Sequence, residues 1–176
     1  MIVSILRYIG LFLVVFCIQM FIIDNLFIGT TYSFLFQPQL VVMFILLLPP
    51  SMPHIWMILS AFISGFIFDA SFHTKGIHAA VCTLIGFTRF YVTRDIENII
   101  GTRDEEIQSW TIKKGRAWKW MYFSAFIFIY HFFYILIESQ GSNFFSRGIP
   151  AILVSTTITF FIVLVLENLL YKPAGN

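Results

Sequence analysis

From Asn25 to Phe68 the chain runs 44 residues without an Asp, Glu, Lys or Arg, and the run closes on an acid, Asp69. A hydrocarbon core about 30 Å thick takes about 20 residues of helix to cross, so this run is of membrane length. An ionised carboxylate at the bilayer centre costs about 2.5–3.5 kcal/mol on insertion scales, which turns Asp69 toward protein and away from lipid. Steps of four residues put Ala61, Gly65, Asp69 and His73 on one helical face. The small pair on that face lets a second helix backbone approach closely. After the turn His73-Thr74-Lys75-Gly76, a second apolar run opens with Gly76-Ile77-His78-Ala79-Ala80, so the two runs form a hairpin. Gly76 and Ala80 are the expected partner face of Ala61 and Gly65.

Asp69 stands seven residues before Gly76, where it can accept hydrogen bonds from the first amides of the following helix. Those amides have no intrahelical partner and carry partial positive charge. Two alternatives are a contact with a partner's helix and a proton or ion relay. A relay needs ionisable groups across the membrane, whereas His73, His78 and His131 crowd one side. His78 is expected to hydrogen-bond within the hairpin.

Hydrophobic residues make up 59% of the chain, charged residues only 11%, and 22 of 176 residues are Phe, which marks an integral membrane protein. The expected fold is one all-α domain, residues 1–176, of six transmembrane helices in a compact bundle. A net charge of +2 gives no reason to expect nucleic acid. Cys17 and Cys82 fall in apolar runs and read as small buried hydrophobes. No His, Cys or carboxylate cluster has metal-ligand spacing, and there is neither a nucleophile elbow nor a phosphate loop. No catalytic residue, cofactor or metal is expected, and the chain does not read as an enzyme.

In order, the spans are 3–23, 34–49, 54–72, 76–92, 117–137 and 148–170. Arg7 and Arg89 are expected to snorkel, and Asp24-Asn25 marks the far interface of the first span. The second span is broken by Gln37-Pro38-Gln39, leaving Pro38–Leu48 as its helical core; it is either a short crossing or a re-entrant segment. Pro49-Pro50-Ser51-Met52-Pro53 ends it. Segment 93–116 is the one extended polar stretch, with a capping box at Thr102 to Glu105 and an interfacial helix bearing Ile107 and Trp110. Lys113, Lys114, Arg116 and Lys119 form a basic membrane-surface group, worth about 1 kcal/mol each beside anionic lipids. Trp118 and Trp120 open the fifth span as an aromatic belt, and Tyr134 and Glu138 read as an interfacial pair near its end. With the N-terminus inside, nine of the eleven Lys and Arg face the cytoplasm, leaving Lys75 and Arg147 outside. Both termini are then cytoplasmic.

The pattern Gly65-x-x-x-Asp69, six residues, Gly76-x-His78-Ala79 resembles the signature hairpin of the rod-shape-determining membrane protein MreD family. The acid-Asn pair after the first span and the Leu-Pro-rich turn before the third are similar too. The resemblance implies a non-enzymatic scaffold of the peptidoglycan elongation machinery in the bacterial inner membrane. It implies MreC as binding partner, with MreB and the rod-complex peptidoglycan synthase and transpeptidase as associates, and a role in cell shape. MreD proteins are similar in fold to substrate-binding components of energy-coupling-factor transporters, so the alternative is a small-solute (vitamin) transporter subunit. Such components present an Ala-x-x-x-Ala face on the first helix, and this chain has no Ala before Ala61.

Overall fold

The computed structural model describes residues 2–23, 35–100, 116–140 and 144–170. Every regular element among them is helical. Helix α1, Ile2–Ile18, continues through a π-helical turn, Gln19–Ile23. Then follow α2, Val41–Leu47, α3, His54–Phe72, α4, Ile77–Ile100, and α5, Arg116–Glu138. A second π-helical turn, Phe144–Gly148, leads into α6, Ile149–Leu170. Asp24, Asn25, the capping box at Thr102, Ile107, Trp110, Lys113 and Lys114 lie outside the described residues, as does the side chain of Arg116.

Four described stretches are long and apolar enough to cross a membrane: Leu6–Ile23, His54–Phe72, Ala117–Glu138 and Phe144–Leu169. Large apolar side chains face outward on them, among them Leu13 on α1, Phe21 on its π-helical turn, Trp56 and Phe66 on α3, and Leu153 and Phe161 on α6. Helix α4 runs 24 residues, eight beyond the expected end at residue 92, so the polar stretch begins as helix.

The least regular segment is the most enclosed. Helix α2 has only seven residues, about 10 Å at ~1.5 Å each, and all seven are buried. It touches α1, α3, α4 and α5. Phe12 of α1 meets Phe44 of α2 edge-on at 5.1 Å between ring centres, and Phe16 meets Phe68 of α3 at 5.3 Å. The helical core expected over Pro38–Leu48 thus begins three residues later, since Pro38 and Gln39 stay outside the helix.

The α3–α4 hairpin is the tightest packing. A Cβ added to Gly65 would lie 2.6 Å from the His78 carbonyl oxygen and 2.7 Å from Ala79 Cα, and one added to Gly86 would lie 2.8 Å from Ala61 Cβ. Ala61 and Gly65 therefore do face α4, but the facing residues are His78, Ala79 and Gly86. Ala80 is exposed, and a Cβ on Gly76 would touch nothing within 4 Å, which corrects the expected Gly76/Ala80 face. The register is set by the turn, where Gly76 has φ +83°, a left-handed conformation that side chains oppose. His73 also leaves the face: it caps α3 at φ 54° and is exposed.

Gly65→Ala is expected to lower the thermal stability of the detergent-solubilised protein by about 1–3 kcal/mol, the usual cost of overpacking. Ile67→Leu, a volume-conserving change at a half-buried position, is the control. Equal melting of the two variants would rule out the backbone contact at Gly65.

Candidate functional site

Among the described residues, three polar groupings inside the bundle hold turns or irregular chain. The first closes the hairpin. Asp69 Oδ1 accepts from the His78 amide at 3.0 Å and Oδ2 from the Ala79 amide at 2.7 Å, while the Thr74 hydroxyl donates to Oδ1. The carbonyl of the same residue accepts from the amides of His73 and Thr74, ending α3. One buried residue thus terminates one helix through its backbone and starts the next through its carboxylate. The His78 ring continues inward, with Nδ1 2.7 Å from the Tyr130 hydroxyl and its plane tilted over Tyr134 at 4.9 Å. Tyr134 is a buried stacking partner of His78 and Tyr130.

The second grouping holds the irregular chain before α2. The Gln37 amide donates to Ser155 Oγ at 3.1 Å and the Gln39 amide to Thr159 Oγ1 at 3.2 Å. Ser155 and Thr159 are four residues apart on α6, so the alternate amides of Gln37 and Gln39 meet hydroxyls about one helical turn apart. Ser155 in turn donates to the Leu35 carbonyl at 3.0 Å. The opposite edge is served by Gln19, whose Nε2 donates to the Pro38 carbonyl at 3.0 Å and whose Oε1 accepts from the Leu40 amide at 2.9 Å. His131 Nδ1 donates to the Ile127 carbonyl at 2.9 Å, leaving Nε2 to accept from the Thr159 hydroxyl at 3.2 Å. Side chains of α1, α5 and α6 thus replace the ladder that the unwound chain lacks. Non-helical backbone at membrane depth requires such cover.

The third grouping is built on Arg89, which is wholly buried. Its Nη2 donates to the carbonyls of Leu46, at 3.2 Å, and Leu48; Nε donates to the Tyr122 hydroxyl at 3.1 Å, and Nη1 meets Met57 Sδ at 2.9 Å. Arg89 does not snorkel. It caps α2, placing a cation at the carbonyl end of the helix, where the partial charge is negative. Lys119 is likewise buried: it pairs with Glu167 of α6 and lies 6.0 Å from the Phe123 ring centre, which removes it from the expected membrane-surface group.

These ties place the irregular segment along the bundle. Gln37 lies by His131 and, through Nε2 at 3.5 Å, by Glu138 at the end of α5, the end that also carries the α3–α4 turn. Leu48 lies by Met57 and Tyr122, near the starts of α3 and α5 at the opposite end. Between the polar groupings stand Val42, Ile45, Ile85 and Ile127, all fully buried. Sequence reading identified Asp69 and His78 but missed Gln19, Arg89, His131, Ser155 and Thr159 as one system. The available signal was a Ser-x-x-x-Thr face inside an apolar helix, beside a Gln in the first span.

The class defined by this architecture is an all-helical chain whose described residues include several membrane-crossing candidates. No family model, curated protein or solved structure matches it.

Proposed function

We propose that this protein is a non-enzymatic membrane scaffold of the cell-wall elongation complex, acting in regulation of cell shape by binding MreC. The observation that carries the reading is where the interior polar side chains are spent. Gln19, Asp69, Arg89, His131, Ser155 and Thr159 all bond to the chain's own backbone. Such bonds fix a shape, and the apolar outer surface is left to membrane lipids and other membrane helices. The hairpin with Gly65, Asp69, Gly76, His78 and Ala79 supplies the family resemblance. Six crossings with both termini cytoplasmic, in the bacterial inner membrane, complete the proposal. The ties from Gln37 at one end to Leu48 at the other support the segment around α2 as the second crossing.

One observation favours the second reading, a substrate-binding component of a small-solute transporter. A discontinuous crossing is a common device at the solute sites of transporters. Purification of the tagged protein in mild detergent from its own cells, with identification of what accompanies it, separates the two. Recovery of MreC, with MreB or the peptidoglycan synthase and transpeptidase, is the expected result. Recovery of an ATPase pair without MreC would sink the scaffold reading.

A further inference from the structure

We draw no further inference here: the strongest candidate, the outward apolar face of α1 that carries Leu6, Leu13 and Val14 beside Gly10, where an added Cβ would meet nothing within 4 Å, is an open surface, and nothing among the described residues shows what covers it.

Discussion

Arg89→Met is expected to cost about 3 kcal/mol or more of stability in detergent, read as a fall in melting temperature and in folded yield. Two effects oppose each other. Burying a guanidinium without a carboxylate among its described partners is expensive, so an apolar replacement recovers desolvation energy. Against that, methionine strips the Leu46 and Leu48 carbonyls of their donor in the dry interior, at about 1–3 kcal/mol per group, and leaves the Tyr122 hydroxyl unpaired. Bonds to a charged donor also run to about 1.5–3 kcal/mol each. Several such bonds outweigh the recovered desolvation, because the guanidinium fork satisfies them simultaneously. Arg89→Lys should fall between, since an ammonium keeps the charge but lacks the planar fork. A methionine variant that melts with the wild type would show that Arg89 does not hold the end of α2.

Asp69→Ala is the second large effect. The two carboxylate oxygens serve separate amides, so alanine orphans both at the buried start of α4, at about 1–3 kcal/mol each. Asn keeps one carbonyl acceptor, and its amide nitrogen faces an N–H that it cannot accept. The expected order of stability is wild type, Asp69→Asn, Asp69→Ala, and the proposed scaffold role extends the same order to MreC co-purification. Loss of function in Asp69→Asn at wild-type melting temperature would instead identify a titrating carboxylate and end the structural-lock account.

The long helices were legible because an apolar run of about 20 residues has one low-energy solution in lipid. The bounds His54–Phe72 follow from Pro53 on one side and the turn residues on the other. Asp69 was legible too, because its partners are amides nine and ten residues away whose need for an acceptor is universal at helix starts. Arg89 was not. A basic residue near the end of an apolar run reads as snorkelling, and its true partners are carbonyls 41 and 43 residues earlier, which carry no sequence signature. The hydroxyls of Ser155 and Thr159 were hidden for the same reason, lying 118 and 120 residues from the amides they serve. His73 and Ala80 were misplaced by extending a helical period through a turn whose residues are left-handed.

The support of the unwound segment also orders its assembly. Gln19 precedes it in the chain, but Arg89, His131, Ser155 and Thr159 are all synthesised after it, the last by 120 residues. Until α6 is in place, Leu35 to Gln39 has peptide groups that lipid cannot serve, so the segment has no stable berth in the hydrocarbon on its own. A chain arriving from its N-terminus must therefore keep this stretch at the membrane surface or in a hydrated passage while later helices insert. The irregular segment, early in sequence, is the last to be completed in time, and a chain arrested before Thr159 would hold α1 and the α3–α4 hairpin without the element that joins them.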